Sequence, residues 1–293
     1  MSESPLIFGE VLFDHFPSGE LILGGAPFNV AWHLQGFGVH PDFFSRTGSD
    51  SQGTEIQTTM RKWGMRVEGL QCDPKHPTGF VKVSLKNGQP HYEIPLNQAW
   101  DNTVFPDHLP SGAPLLYHGT LALRHKTAMS TWMNIRQRVQ GPVFLDVNLR
   151  APWWDQHRIK ILLEQTDWLK LNNEELDLIV EGQGDIFKKM ELLWSRYPIS
   201  TIVVTQGEKG AVAASRDGAY FPIKPLSSLK IVDTVGAGDA FSSVLILGIL
   251  KNWDLETSMA RAQSFASHIV QQKGATARNT HLYNKLMKKW DIK

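Results

Sequence analysis

Short apolar runs that alternate with longer amphipathic stretches limit the fold of this chain more than any other feature. The apolar runs are typical of buried strands. Helix-like stretches such as SQGTEIQTTMRKWG and HKTAMSTWMNIRQRV lie between them. This order predicts an α/β fold with a mostly parallel sheet flanked by helices on both faces. The apolar runs are PLIFGE, PLLYHG, PVFLDVN, WLKLN and TIVVT.

Two segments interrupt this alternation. In VLFDHFPSGELIL, strand-like halves flank residues 17–19, and in TGFVKVSLKNGQPHYEI a period-two pattern flanks Asn87-Gly88, a strong hairpin signal. Neither segment has a helix for a crossover connection, so both are predicted to form a small antiparallel sheet. We assign residues 11–23 and 68–104 to this sheet, and residues 1–10, 24–67 and 105–293 to the main α/β domain.

Composition excludes several classes of partner. The formal net charge of +1 gives no electrostatic reason to expect nucleic acid or an acidic membrane surface. Cys72 is the single cysteine, which suits a reducing compartment. No window approaches the roughly 20 apolar residues of a membrane span. We therefore expect a cytoplasmic protein that binds neither nucleic acid nor membrane.

The stretch DTVGAGDAF, residues 233–241, is the first candidate for chemistry. A dinucleotide fingerprint would need a third glycine where Phe241 stands, and no P-loop string occurs. Two interpretations remain. Asp239 is an acid that complements a helix dipole, or the backbone around Gly236 and Gly238 forms an anion site with Asp239 as a base beside it. The stretch alone leaves both open.

Together with other motifs, this stretch resembles the ribokinase or PfkB family of carbohydrate kinases. DTVGAGDAF is similar to the family's C-terminal signature, and LGGAPFNVAWHLQGFG, residues 23–38, is similar to its N-terminal signature. The resemblance covers nearly the whole chain, and HPTG and DVNLR are most similar to fructokinase-like members. It implies a ribokinase-like fold in which the small antiparallel sheet is a lid. Further matching pieces are GEVLFD, SRTGSDSQG, LNNEEL and VVTQGEKGA.

The resemblance implies transfer of the γ-phosphoryl group of ATP to a sugar hydroxyl, with fructose, phosphorylated at its 6-position, as the leading substrate. Asp239 is then the catalytic base, and the backbone of Gly236, Ala237 and Gly238 forms the anion hole. Phosphoryl transfer needs alignment, charge neutralisation and exclusion of water, which such a site and a lid supply. Mg²⁺ is the implied cofactor, and K⁺ is a further implied ion, near Asp233.

The sugar contacts implied by the resemblance have plain structural alternatives. The Gly24-Gly25 pair is a lid hinge or a tight turn, Asn29 binds sugar or backbone, and Asp14 binds sugar or faces solvent. In LDVNLR, three polar residues at period two end a strand, where they point into a ligand crevice or form a salt-bridged loop. These three residues are Asp146, Asn148 and Arg150.

The nucleotide contacts are also implied by the resemblance. Asn172 and Glu175 match an element that organises Mg²⁺ through water, although the same spacing is typical of a capping box. The stretch after TIVVT is implied to line the ATP phosphates, and the stretch around GATA to contact the nucleotide base. The residues so assigned are Thr205, Gly207, Gly210, Gly274 and Ala275.

Three alternatives remain open. One is a 2-keto-3-deoxygluconate kinase, in which Arg124 or Arg150 binds the substrate carboxylate, and another is a kinase for a different sugar or a nucleoside. The third is a non-catalytic sugar-binding relative, which the retained Asp239 argues against. The exposed edges of a lid sheet also suggest a homodimer.

Overall fold

The computed structural model describes residues 4–86, 89–106, 109, 112–225 and 231–292. Within these residues the strands form a nine-stranded sheet and a separate four-stranded sheet. The strands are β1 Leu6–Phe8, β2 Leu12–His15, β3 Leu21–Gly24, β4 Asp42–Gly48, β5 Leu70–Asp73, β6 Gly79–Lys86, β7 Gln89–Glu93, β8 Leu116–His118, β9 Val143–Asp146, β10 Trp168–Asn172, β11 Thr201–Thr205, β12 Ala211–Ser215 and β13 Tyr220–Ile223.

The large sheet has the order β13-β12-β11-β10-β9-β8-β1-β4-β5. Its strands pair in parallel from β5 to β11, and β12 and β13 add an antiparallel edge. Parallel pairing follows from the helical crossovers that the sequence pattern predicts. The predicted α/β architecture with a mostly parallel sheet is therefore confirmed.

Helices cover both faces of the large sheet. The side chains of β1 alternate between two cores, since Leu6 and Phe8 lie in one hydrophobic cluster and Ile7 lies in the other. This double burial explains why the strands are continuous apolar runs. The helices are α1 Ala26–Gly36, α2 Ser51–Lys62, α3 Lys126–Arg136, α4 Gln156–Leu163, α5 Asn173–Ile179, α6 Ile186–Arg196, α7 Ala237–Leu250, α8 Leu255–Ile269 and α9 Thr280–Trp290.

The small sheet has the order β3-β2-β6-β7. β2 and β3 form an antiparallel pair, as do β6 and β7, and these two pairs meet through a parallel pairing of β2 with β6. The predicted turn at Asn87-Gly88 lies outside the described residues. One boundary needs correction: Leu70–Asp73 was assigned to the small sheet, but it pairs with β4 at the edge of the large sheet.

The connections place polar residues at one edge of the large sheet. β9 and β10 end at Asp146 and Asn172, and β11 ends at Thr205. Because parallel strands run in one direction, their carboxyl ends share this edge, which is where open α/β sheets bind ligands. Among the described residues, none of the helices combines the length and apolar character needed to cross a membrane.

Candidate active site

A cavity of about 570 Å³ has walls from both the small sheet and the carboxyl ends of the large-sheet strands. Most of the residues predicted from the sequence line it, although they come from distant parts of the chain. The fold therefore brings the two signature regions into one site. The predicted residues that line this cavity are Asp14, Gly24, Gly25, Asn29, Asp146, Asn148, Arg150, Asn172, Glu175, Thr205, Asp233, Gly236, Gly238, Asp239, Gly274 and Ala275.

Three predicted residues are not among those that line the cavity. The N–H of Ala237 donates to the carbonyl of Thr234 at 3.3 Å. Gly207 begins a 3₁₀ turn with φ of 57°. At Gly210, φ is 96° and a Cβ atom would lie 2.0 Å from the carbonyl oxygen of Ile223, so this glycine permits a close backbone approach. Gly207 and Gly210 lie in the turn between β11 and β12, and their contact with the ATP phosphates stays a prediction.

Asp239 lies in the first turn of α7, with Gly236 as the N-cap in the left-handed region at φ 80°. The side-chain amide of Asn29 donates to Asp239 Oδ2 at 2.7 Å. Burial raises the pKa of Asp239 to about 6, and the hydrogen bond from Asn29 opposes this rise. Among the described residues, the backbone N–H groups of Gly238 and Asp239 have no hydrogen-bond partner. A carboxylate therefore sits beside free donors at a positive helix end.

The loop before α7 packs against the loop that contains GATA. A Cβ atom on Gly236 would lie 2.4 Å from Ala275 Cβ. Asp233 accepts hydrogen bonds from the N–H groups of Val235 and Gly274, both at 3.0 Å. These contacts hold the two loops together at one end of the cavity.

Helix α1 also supports the GATA loop, through two of its aromatic side chains. The indole N–H of Trp32 donates to the carbonyl of Ala277 at 2.8 Å. The ring of His33 is fully buried, with Nε2 3.0 Å from the carbonyl oxygen of Ala275 and Nδ1 2.8 Å from the hydroxyl of Tyr283. The helix that carries Asn29 is thus bonded to the loop around Ala275.

Gly24 lies between two polar side chains of the cavity. A Cβ atom on Gly24 would be 3.9 Å from both Asp14 Oδ2 and Asn29 Oδ1. Asn29 Oδ1 is buried and has no hydrogen-bond partner within the described part of the chain. Burial raises the pKa of Asp14 to about 6, and the positive charge of Arg150 opposes this rise. These groups form a polar wall with unused hydrogen-bonding capacity.

A buried ion pair that also lines the cavity was missed by the sequence analysis. Lys170 Nζ lies 3.0 and 2.9 Å from the two carboxylate oxygens of Asp146, and the hydroxyl of Ser242 donates to Asp146 Oδ2 at 2.7 Å. Burial is the largest single influence and lowers the pKa of Lys170, but the charge and hydrogen bond of Asp146, with the charges of Asp239 and Glu175, together raise it. The sequence feature that could have indicated this ion pair was the lysine inside the apolar run WLKLN. Lys170 Nζ lies 3.1 Å from the position of a Cβ atom on Gly238, which places a cation beside the start of α7.

Asn172 and Glu175 form the capping box that their spacing suggested, and they also line the cavity. Asn172 Oδ1 accepts from the N–H of Glu175 at 2.9 Å, and Glu175 Oε2 accepts from the N–H of Asn172 at 2.9 Å. Glu175 Oε1 accepts from the N–H of Leu149 at 2.7 Å, and burial raises the pKa of Glu175. The two sequence interpretations are therefore compatible with each other.

Arg124 has a structural role. Its guanidinium donates to both carboxylate oxygens of Asp101, at 2.7 and 2.8 Å, and lies over the rings of Trp100 and Trp153. Both charged side chains of this pair are at most 1% exposed. Arg150, in contrast, is exposed and lines the cavity. A substrate carboxylate has no access to the Arg124 guanidinium in this arrangement.

Comparison with known proteins places this geometry in a family. The model of the pfkB family carbohydrate kinase matches residues 6–281. A fructokinase from Klebsiella pneumoniae is 30% identical, over 92% of each chain. The fold is similar to that of a fructokinase with bound ATP from Xylella fastidiosa, with a TM-score of 0.86 and 20% identity over 99% of this chain and 100% of the other.

A second solved structure shares the fold, a double mutant of fructokinase from Vibrio cholerae O395 in a form with fructose, ADP and potassium ion bound. Its TM-score is 0.80, at 24% identity over 97% of this chain and 98% of the other. The family match spans most of the chain, and the carbohydrate-kinase signatures meet in one cavity. The chain therefore belongs to the pfkB family of carbohydrate kinases and is a sugar kinase.

Proposed function

We propose that this chain transfers the γ-phosphoryl group of ATP to the 6-hydroxyl of fructose. The relative from Klebsiella pneumoniae named above is a fructokinase, which supports this choice of sugar. The observation that carries the proposal is the contact between Asn29 and Asp239, 2.7 Å long, at the start of α7 inside the cavity. It joins the two signature regions at a group able to accept a proton.

Asp239 acts as the general base in this proposal. A pKa of about 6 leaves the carboxyl mostly ionised at pH 7 while it remains more basic than an ordinary aspartate. The hydrogen bond from Asn29 fixes Oδ2, so that the other oxygen is available to the sugar hydroxyl. The proton of the attacking hydroxyl passes to Asp239 as the new oxygen–phosphorus bond forms and ADP leaves.

Backbone donors next to Asp239 form the anion hole. The free N–H groups of Gly238 and Asp239 are the donors best placed for this task within the described residues, because the N–H of Ala237 is bonded to Thr234. Helix α7 adds positive potential at the same point. The ammonium of Lys170 lies nearby. Preorganised donors of this kind stabilise the charge of a moving phosphoryl group.

The charge of the cavity favours a neutral sugar over a sugar acid. Glu10, Asp14 and Asp239 all line the cavity, and burial raises the pKa of each of them. A substrate carboxylate would add a further buried negative charge, which is costly without a cationic partner. Arg124 is bonded to Asp101, so Arg150 is left as the arginine of this cavity wall. Asp14 and Asn29 instead offer acceptors and donors that suit neutral hydroxyls.

The remaining contacts belong to the nucleotide and its ions. Thr205, Gly274 and Ala275 line the cavity beyond α7, where we place the nucleotide. Glu175 would hold Mg²⁺ through water, since both of its oxygens already accept backbone N–H groups. When bound, Mg²⁺ neutralises phosphate charge. Asp233, which keeps free lone pairs beside its two N–H bonds, is our candidate for contact with K⁺.

The small sheet is proposed to act as a lid that excludes water and to provide the surface of a homodimer. Leu21 on β3 and Tyr92 on β7, the two edge strands of this sheet as described, are about half exposed. Exposed sheet edges are able to pair with a second chain. Measurement of the molecular mass in solution tests the dimer, and the mass of a monomer would contradict it.

A coupled kinase assay over a sugar panel tests the proposed substrate. The panel contains fructose, ribose, glucose, mannose, adenosine and 2-keto-3-deoxygluconate, with a sugar-free control for ATP hydrolysis. We expect fructose to give the highest kcat/KM. If 2-keto-3-deoxygluconate led the panel and Arg150→Ala raised its KM selectively, fructose would be the wrong substrate. Sugar binding without any turnover would indicate a non-catalytic relative instead.

A further inference from the structure

Glu10 is a buried carboxyl of the cavity that lacks a full set of hydrogen bonds. The residue is 3% exposed, and its Oε2 atom has no hydrogen-bond partner within the described part of the chain. Buried polar atoms are almost always paired, and an unpaired one lowers stability. Because Glu10 lines the cavity, a ligand there is the available partner.

The backbone places Glu10 beside the predicted sugar contacts. Glu10, Leu12 and Asp14 alternate along the chain, and all three line the cavity. The carbonyl oxygen of Glu10 would lie 2.6 Å from a Cβ atom on Gly25, so the two backbones are in close contact. The backbone of Glu10 is therefore fixed against the Gly24-Gly25 turn, two alternations before Asp14.

We infer that Glu10 is a further substrate-binding residue, whose carboxyl forms a hydrogen bond with a sugar hydroxyl other than the one that is phosphorylated. The inference rests on the proposed function, in which Asp239 takes the reacting hydroxyl. It assigns to Glu10 a part in specificity, because a buried group built to bond a hydroxyl discriminates strongly against an analogue that lacks it.

The electrostatic surroundings of Glu10 suit a hydroxyl partner. Burial raises the pKa of Glu10 to about 7; the charge of Asp239 adds to the rise, and the charges of Arg150 and Arg124 oppose it. Near neutral pH the carboxyl is therefore present in both protonation states. A hydroxyl both donates and accepts, so it is able to pair with either state.

The first experiment compares Glu10→Met with Glu10→Gln. Methionine has a similar length but cannot replace the hydrogen bond, so KM for fructose should rise about 10- to 100-fold, the usual effect of losing a bond to a charged or buried partner. KM for ATP should stay within about twofold. The Tm of the sugar-free Glu10→Met variant should equal or exceed that of the parent, because an unpaired buried polar atom has been removed. Glutamine should restore most of the affinity.

The second experiment pairs each variant with single-deoxy analogues of fructose that retain the 6-hydroxyl. In the parent, removal of the partner hydroxyl should lower kcat/KM about as much as Glu10→Met does. With Glu10→Met, kcat/KM for the same analogue should be less than about threefold below kcat/KM for fructose, since the bond is already lost. Leu12→Met is the control for a change in the same wall, and it should affect fructose and its analogues equally.

Several results would overturn the inference. A Glu10→Met variant with the parent's KM and a lower Tm would make Glu10 a structural residue. Equal losses on every analogue would exclude a bond to one hydroxyl. If Glu10→Met failed to fold, Glu10→Ala, which also lacks the hydrogen bond, would decide, and a loss on every deoxy analogue as large as in the parent would refute the role. If the parent preferred another sugar, the fructose proposal would fail separately. The comparison of the Glu10 variants would then use deoxy analogues of that sugar.

Discussion

Replacement of Asn29 by leucine should move the pH dependence of turnover. The amide of Asn29 donates to Asp239 Oδ2 at 2.7 Å and thereby stabilises the ionised carboxyl. This bond opposes the effect of burial, which raises the pKa of Asp239 to about 6. Leucine has a similar volume but no donor, so Asn29→Leu leaves burial in place and removes the opposing bond. The pKa of Asp239 should therefore rise further.

The size of the shift follows from the strength of such a bond. A hydrogen bond to a charged group contributes about 1.5–3 kcal/mol, and one pH unit corresponds to about 1.4 kcal/mol. Loss of the bond should raise the pKa of Asp239 by roughly one to two units. A general base works only when it is deprotonated, so turnover falls as pH drops through its pKa. The acid limb should move from about pH 6 in the parent towards pH 7–8 in Asn29→Leu.

The assay is a pH profile of kcat at saturating sugar and ATP. Saturation ensures that a shift of the acid limb is not confused with a loss of sugar affinity. Asp14 and Glu10 also have raised pKa values, so the profile must be assigned by comparison between variants. Asp14→Asn is the matched control, because it removes a neighbouring carboxyl and leaves the Asn29–Asp239 bond intact. An acid limb that stays within about 0.3 pH units of the parent in Asn29→Leu would refute this account of Asp239.

Two further pairs of substitutions test the packing and the ion pair described above. Gly236→Ala and Gly274→Ala both place a side chain in the left-handed region, which costs roughly 1–2 kcal/mol. Only Gly236 faces a close neighbour, Ala275 Cβ at 2.4 Å, so Gly236→Ala should lower Tm more than Gly274→Ala and raise KM for ATP about tenfold. Equal effects of the two substitutions would contradict the packing described. Arg124→Met should lower the free energy of unfolding in urea by about 3–5 kcal/mol, because Asp101 stays buried without a partner. Addition of Asp101→Asn should reduce that loss, and an unchanged loss would show that the charge of Asp101 is not its cause.

Much of the fold was accessible from the sequence, because its signal is local. The run TIVVT corresponds to Thr201–Thr205, and WLKLN corresponds to Trp168–Asn172. Strand pairing was less accessible. The segment Leu70–Asp73 lies among residues of the small sheet in sequence, yet it pairs with Asp42–Gly48, and no local pattern specifies that neighbour.

The candidate site was also predictable only in part from the sequence. Asp239 and Asn29 lie in signature motifs that the resemblance identifies, and the structure brings them into contact. Lys170 and Glu10 were missed because their significance depends on partners far away in sequence, or on the lack of a partner. The close backbone approach of Gly210 to Ile223 could not be predicted either, because a glycine in a turn looks the same in a sequence whether it faces a ligand or another strand.

The most direct test of the account is turnover by Asp239→Asn with fructose and ATP, since the central claim is that Asp239 removes the proton from the sugar hydroxyl. Asparagine keeps the size of the side chain, so Tm and ATP binding should stay close to the parent. We predict that kcat falls by about 10²- to 10⁴-fold, the usual range for loss of a general base. A folded Asp239→Asn variant that phosphorylates fructose at nearly the parent rate would contradict the claim and would leave Asp239 as an acid that stabilises the start of a helix.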